Sequence, residues 1–454
     1  MSGAHRLGRS ARALYATGDA TVNVVLSSTA FFFFVFLTSQ AGISPLWASA
    51  AILVARGIDA VCDPLMGRLS DRLHLRGERR RPWFLLGSLP FGLCFAAMWA
   101  DPLFEGAPAR WLYYTLVYVL ASLSMTVLSV PYLALIPEMA TEYDDRTSVN
   151  TWRAAASVIG TLGAATMQPL ASFLGEGRPD WAAAGLVLAP CLTLPWLAVH
   201  RVSFERPDFQ RREVRIPLLA GLRQLARHRS FRQLAALYTA SRISYDLISA
   251  LFLLFFQHYL RREADFYPTL FLFLGVAVLA MPGWRRLAER FDKRSVFLAG
   301  SCWWLVAQLA IFAVEPGWPR WILFAMAALA AIGFAVIDMM PWSMIGEVID
   351  EDELATGERR EGLYLGCFTF LRKLGGALGV ALSGVVLELA GYRGELPPEA
   401  QSEGALMAVR VLCSLGPAAF LLLAIWATRG YDLTRARHAL VLRELGARGL
   451  RARA

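Results

Sequence analysis

The stretch Leu53-Val54-Ala55-Arg56-Gly57-Ile58-Asp59-Ala60-Val61-Cys62-Asp63-Pro64-Leu65-Met66-Gly67 sets two acids inside an apolar run. Asp59 and Asp63 stand four residues apart, so a helix carries both carboxylates on one face. A carboxylate at membrane depth costs roughly 2.5–3.5 kcal/mol on insertion scales. Two on one face also repel unless a cation or a proton lies between them. A costly pair of this kind marks a place where work is done.

The rest of the chain shows that this run is a membrane span. The 454 residues are 56% hydrophobic and 18% charged, and the mean hydropathy is +0.45. A spanning helix needs roughly 20 mostly apolar residues. Blocks of that kind lie near 13–38, 46–67, 83–100, 111–136, 150–174 and 183–200. They recur near 231–259, 266–284, 295–314, 319–346, 362–390 and 405–428. The expected fold is all-α and integral to the membrane, with twelve transmembrane helices.

The net charge of +9 would suit a nucleic-acid binder, but its distribution excludes that class. Basic residues collect in alternate connections: Arg6 to Arg12, Arg68 to Arg81, Arg201 to Arg232, Arg285 to Arg294 and Arg429 to Arg453. Those between are poor in them, Arg261 and Arg262 excepted. This is the positive-inside pattern. It predicts a multi-pass inner-membrane protein with both termini cytoplasmic. The first residues lack a signal peptide's short apolar core and cleavage site, so the first span is expected to be retained. The six cysteines form no C-x-x-C and no His stands at metal-ligand spacing, so no cofactor is expected. No P-loop occurs, since the chain lacks G-x-x-x-x-G-K-[ST]. Leu374-Gly375-Gly376-Ala377-Leu378-Gly379 reads as a close helix-packing surface.

Landmarks repeat at about half the chain length. Gly67-Arg68-Leu69-Ser70-Asp71-Arg72 is matched by Gly283-Trp284-Arg285-Arg286-Leu287-Ala288-Glu289-Arg290. Pro131 to Glu138 is matched by Pro341 to Glu347. Arg153, Gly160 and Gly163 are matched by Arg372, Lys373, Gly376 and Gly379. Parallel six-helix halves with a midplane site are a common transporter plan. The halves are expected at 1–200 and 231–428. Between them runs a cytoplasmic linker, 201–230, with a short amphipathic helix around Leu218–Leu225. A basic tail, 429–454, is expected either to lie on anionic lipid or to stay solvated.

Gly67-x-x-x-Asp71-Arg72 with its basic run resembles the signature loop of the major facilitator superfamily. Val54 to Gly67, Pro82-Trp83, Val130-Pro131-Tyr132, Pro341-Trp342-Ser343-Met344, Glu347-Val348-Ile349-Asp350 and Lys373 resemble the glycoside–pentoside–hexuronide:cation symporters, in matching order over nearly the whole chain. The resemblance implies the major facilitator fold and transport by alternating access, coupled to Na⁺ or H⁺. It places the cation on Asp59 and Asp63, with Thr126 adding a hydroxyl. It places substrate contacts at Asp19, with Asn23 on the same face, at Ser129 and at Arg153. Lys373 is implied as a substrate-site residue that pairs with Asp59 or Asp63 and couples ion to substrate, and Asp71 with Arg72 as a cytoplasmic gate.

The implied substrate is a small glycoside. The family's melibiose-carrying member has an acid at the position of Ser129, a tryptophan at Leu133, an asparagine at Cys62 and a lysine at Gly18. These departures leave a less polar pocket and admit a lysophospholipid as the alternative. Beyond substrate and bilayer no partner is expected, and the chain is expected to act as a monomer. A proton-driven exporter and a non-transporting receptor are the rival readings; the second would not need the intramembrane charges. Arg242 and Asp246, four apart, read as a local ion pair. Asp338 finds no partner in the sequence. Phe31–Phe36 reads as a lipid-facing run, with the lining of a substrate cavity as the alternative.

Overall fold

The computed structural model describes residues 8–73, 78–102, 106–140, 143–175, 179–205, 218–358 and 360–448, and these are helical almost throughout. The chain divides into two compact units. One comprises Met1–Val214 with Arg393–Glu395, the other Arg215–Tyr392 with Leu396–Ala454.

The first unit holds α1 (Arg9–Ser39), α2 (Pro45–Arg72), α3 (Arg81–Met98), α4 (Ala107–Met139), α5 (Tyr143–Ala164, continued by Met167–Leu174) and α6 (Trp181–Val202). The second holds α7 (Arg229–Tyr259), α8 (Glu263–Arg290), α9 (Lys293–Phe312), α10 (Arg320–Thr356), α11 (Glu361–Leu389) and α12 (Glu403–Thr428). Among the described residues, ten helices are long and apolar enough to cross a membrane. The other two expected positions are filled by α3, only 18 residues long, and by α5, which opens on Tyr143-Asp144-Asp145-Arg146 and breaks before Met167. A count of twelve is compatible with both.

The helix starts follow local chemistry. Pro45, Pro82 and Pro108 stand in first turns, where a missing N–H costs nothing. Asp180 accepts from the Ala183 N–H at 2.8 Å and Ser402 from the Ala405 N–H at 3.1 Å, which caps α6 and the start of α12.

Within each unit the pairing repeats. In the first, α1 packs on α5 and α6, α2 on α4, and α3 on α4 and α6. In the second, α7 packs on α11 and α12, α8 on α10, and α9 on α10 and α12. Two glycines show how close the backbones come. A Cβ on Gly160 would stand 2.2 Å from the Ala20 carbonyl oxygen, and one on Gly379 would stand 3.1 Å from that of Ile243. The glycine-rich run on α11 is therefore a packing surface against α7, as its sequence indicates.

Two expectations are corrected. The Phe31–Phe36 run does not face lipid: Phe31 to Phe34 and Phe36 are all buried. Consecutive side chains point in different directions, so this part of α1, which includes a π-turn at Thr29–Phe33, is packed on all sides. The phenylalanines meet Trp99, Tyr114, Tyr118 and Trp181. The tail, in turn, is not simply solvated: most of its helix is exposed, but one edge docks on the protein. Its helix Arg435–Ala447 buries Val441 and Leu445 and packs on α10. Arg437 pairs with Glu351 at 2.7 Å and His438 with Asp350 at 2.9 Å. The linker helix spans Leu218–Arg227, while linker residues 206–217 lie outside the described residues.

Candidate functional site

The two acids of α2 meet α4. The Thr126 hydroxyl lies 2.6 Å from Asp59 Oδ1 and 2.9 Å from Asp63 Oδ1. Asp59 is 4% exposed and Thr126 2%; Asp63 is half-buried. A hydroxyl carries one proton, so it can donate to only one of the two carboxylates at a time. The other contact brings a third oxygen within 2.9 Å, so three side-chain oxygens stand together here. Pro64 adds to this. It has no N–H and cannot serve the carbonyl of Ala60, four residues earlier, which leaves a further oxygen between the two acids in sequence. Oxygen-rich sets of this kind suit hard cations. Nearby, Arg56 Nε donates to the Tyr118 hydroxyl at 3.4 Å.

A cavity of about 620 Å³ abuts this cluster. Its walls are Cys62, Leu65, Met66 and Leu69 of α2 with Leu123, Thr126 and Val127 of α4. Apart from the thiol and the hydroxyl, the lining is aliphatic or thioether.

A second polar cluster ties α1, α4 and α5 together. Arg153 grips the Asp19 carboxylate with two N–H groups, Nε to Oδ2 at 2.5 Å and Nη2 to Oδ1 at 3.1 Å. The Tyr132 hydroxyl reaches Asp19 Oδ2 at 2.7 Å, and the Arg153 guanidinium lies 5.4 Å from the Tyr132 ring centroid. Tyr15 stacks on Tyr132 at 4.4 Å and donates to its carbonyl at 2.6 Å. Bidentate, charge-assisted contacts are the strong ones, so Asp19 and Arg153 act as one dipolar unit. Both stay in reach of solvent, with side chains 14% and 17% exposed. Asn23 donates to the Asp19 backbone carbonyl at 2.8 Å, so in this arrangement its amide serves α1 itself. Ser129, on α4, is half-buried.

Lys373 lies on α11, in the second unit. Asp71 and Arg72 end α2; their side chains, and that of Asp338, lie outside the described residues. Tyr15 carries no mark in the sequence analysis, and Tyr132 enters it only within the Val130-Pro131-Tyr132 motif, with no site role attached. The spacing of Tyr15 four before Asp19, and of Tyr132 beside Pro131, was the available signal.

The sequence matches the family profile "MFS/sugar transport protein" over residues 14–435. The chain belongs to that family. It is 28% identical to the uncharacterized symporter sll1374 of Synechocystis, with 98% of each chain covered. It is also 28% identical to the putative glycoside/cation symporter YagG of Escherichia coli, over 95% of this chain and 93% of that one. Against the sodium-dependent lysophosphatidylcholine symporter 1-A of Danio rerio the identity is 25%, over 93% and 85%. Among solved structures, a D-xylose–proton symporter superposes with a TM-score of 0.63 at 13% identity, covering 93% of this chain and 98% of that one. That likeness is one of fold. The protein is thus a multi-pass membrane transporter of the major facilitator fold.

Proposed function

We propose that this transporter is a symporter driven by a cation bound at Asp59, Asp63 and Thr126. The carrying observation is the single Thr126 hydroxyl set between two carboxylates. Either Na⁺ or H⁺ completes such a set. The cation stabilises the conformation that binds substrate, and the ligand moves by alternating access. Asp19, Arg153 and Ser129 are the substrate-facing candidates. Lys373 contributes a coupling charge on α11, and the α2 terminus at Asp71 and Arg72 gates the cytoplasmic side. Both termini then lie in the cytoplasm, at the inner membrane.

The proposed substrate is a small glycoside, in keeping with the glycoside/cation relative. The dipole of Asp19 and Arg153, with Tyr132 beside it, suits hydroxyl groups that donate and accept. A lysophospholipid is the second reading. It is favoured by the aliphatic cavity beside Thr126 and by Leu133, which is 50% exposed where a sugar would want a ring to stack on.

Melting of the purified protein in NaCl, LiCl and KCl tests the ion, with Asp59→Asn and Asp63→Asn alongside. Stabilisation by Na⁺ over K⁺ that both variants abolish is expected. Equal melting in all three salts rejects sodium, and stabilisation that survives both substitutions rejects the site. Uptake of a glycoside and of a lysophospholipid into proteoliposomes then separates the two substrates.

A further inference from the structure

Two short stretches at the ends of neighbouring helices carry the same pair of residues. Trp99-Ala100-Asp101-Pro102 follows α3 and Pro179-Asp180-Trp181-Ala182 opens α6, and each sets a tryptophan within two residues of an aspartate. Because α3 packs on α6, the two indoles meet: Trp99 stacks on Trp181 with centroids 5.4 Å apart and planes at 16°. Phe36 of α1 stands edge-on to both, at 5.3 and 5.7 Å. All three rings line a cavity of about 520 Å³, which Gln40, Asp101, Tyr114, Asp180 and Ala182 also border. Sites for small ligands measure about 300–1,000 Å³. The cavity lies at the end of the first unit remote from its basic connections, which the positive-inside pattern reads as the outer end.

The indole N–H groups are what the packing leaves over. Trp99 is 1% exposed and Trp181 6%, and neither Nε1 has a hydrogen-bond partner. A buried donor without an acceptor costs about 1–3 kcal/mol. A phenylalanine at either position would stack as well and avoid that cost. Trp83 and Trp196 also hold unpartnered indoles. What marks Trp99 and Trp181 is one shared cavity that two carboxylates also border.

The charge of those carboxylates is already answered. Asp101 Oδ1 accepts from Arg110 Nη2 at 2.7 Å. Asp180 Oδ1 accepts from the Ala183 N–H at 2.8 Å, at the N-terminus of α6, where the helix dipole favours an anion. An ionised carboxylate offers about four lone-pair sites, so both acids keep acceptor capacity. A cationic ligand would find little uncompensated charge and would leave both indole donors idle. An anionic ligand would meet two carboxylates. A neutral ligand rich in hydroxyl groups meets every demand, because each hydroxyl both donates and accepts. It accepts from the indoles, donates to the carboxylates and sets its C–H groups against the aromatic walls.

We propose that this cavity binds a small, neutral, polyhydroxylated molecule of the sugar or glycoside class, through the Nε1 donors of Trp99 and Trp181 and the carboxylates of Asp101 and Asp180. It is a second site, apart from the Asp19–Arg153 cluster: on α1, Phe36 lies roughly 25 Å beyond Asp19 along the helix axis. That the transported molecule docks here on its way to that cluster rests on the glycoside reading above. The site itself does not.

The test is a titration followed by saturation-transfer NMR, on the full chain in lipid nanodiscs free of sugar-based detergent. The probes are methyl galactoside, methyl glucoside and methyl xyloside, with choline and methyl glucuronide as charged counterparts. All are measured in an Asp19→Asn background, which disables the cluster on α1 and α5. At least one neutral glycoside should still bind. Trp99→Phe and Trp181→Phe, which keep the rings and remove the N–H groups, should each weaken it five-fold or more. Ala182→Phe, which sets a ring into the cavity and touches no donor, should abolish it. Three results in that background overturn the proposal: no neutral glycoside binds, choline or the glucuronide binds more tightly than every neutral probe, or binding survives both tryptophan substitutions or Ala182→Phe. Melting shows that each variant is folded, and should a tryptophan variant not fold, Ala182→Phe decides. The same titration of the protein with Asp19 intact separates the two readings. Binding that Asp19→Asn abolishes and the cavity variants leave intact supports the substrate cluster and refutes this site.

Discussion

At the scale of single residues, Thr126 is the clearest case of one atom with two demands on it. Its hydroxyl touches Asp59 and Asp63 and its side chain also lines the apolar cavity. Thr126→Val keeps the shape and removes the oxygen. The fold should survive, since a single buried hydroxyl contributes about 1 kcal/mol. Cation affinity should fall by ten-fold or more, because the two carboxylates are left without the group that bridges them; the salt dependence of melting measures it. Thr126→Ser, which retains the oxygen, should retain most of the affinity. Unchanged cation response in Thr126→Val would show that the hydroxyl is no ligand. The acid pair itself was legible from spacing and cost alone. Thr126 was reached through the resemblance, for nothing in α4 distinguishes one hydroxyl on an apolar helix from the serines around it. Tyr15 and Tyr132 were harder still, because an aromatic at helical spacing looks like core until its hydroxyl is seen to reach Asp19.

At the scale of elements, helix ends are held by charge. Glu205, just past the end of α6, accepts from the backbone N–H groups of Arg79, Arg80 and Arg81 at 3.0, 2.6 and 3.0 Å. The N–H groups of Arg80 and Arg81 are orphan donors at the start of α3, and that of Arg79 just precedes it. Burial pushes the Glu205 carboxyl up, but the three N–H donors and the Arg79 charge outweigh it, and the net shift is downward. A carboxylate with a lowered folded-state pKa stabilises fully above its ordinary range, and that stabilisation is lost as pH falls through the folded-state value. Glu205→Gln should therefore lower the melting temperature at neutral pH, at a cost of about 1–2 kcal/mol. The gap from the parent should close as the pH falls below the ordinary carboxylate range. A gap that stays constant into acid would mean that the charge of Glu205 does not act. Beside it, Glu138 of α4 accepts from Arg79 at 2.9 Å, and in the second repeat Glu347 of α10 meets Lys293 of α9 at 2.9 Å. The sequence repeat of these acids was legible because each follows a Pro-aromatic landmark. The docking of the tail helix was not. A basic helix with a few leucines satisfies a lipid surface and an acidic protein edge equally well, and only the partners Asp350 and Glu351 decide between them.

At the scale of the whole molecule, the all-helical membrane plan and helical positions compatible with twelve spans followed from apolar block length, while the pairing of helices within each unit did not. Block length is an average over many residues and tolerates local exceptions. What symport adds is a coupling between two binding equilibria. If sodium at Asp59 and Asp63 raises substrate affinity by some factor, substrate must raise sodium affinity by the same factor. Couplings of this kind amount to about 1–3 kcal/mol, or roughly 5- to 150-fold. Calorimetric titration of substrate with and without sodium, and of sodium with and without substrate, should return one common factor. Asp59→Asn should bring both ratios to one while substrate still binds with its sodium-free affinity, because the proposed substrate contacts Asp19 and Arg153 belong to a separate cluster on α1 and α5. Were the two ratios to differ, the ions and substrates would not be meeting a single two-state protein. If Asp59→Asn abolished substrate binding outright even without sodium, the acid pair would be part of the substrate site, and the division of labour between α2 and α1 would have to be redrawn.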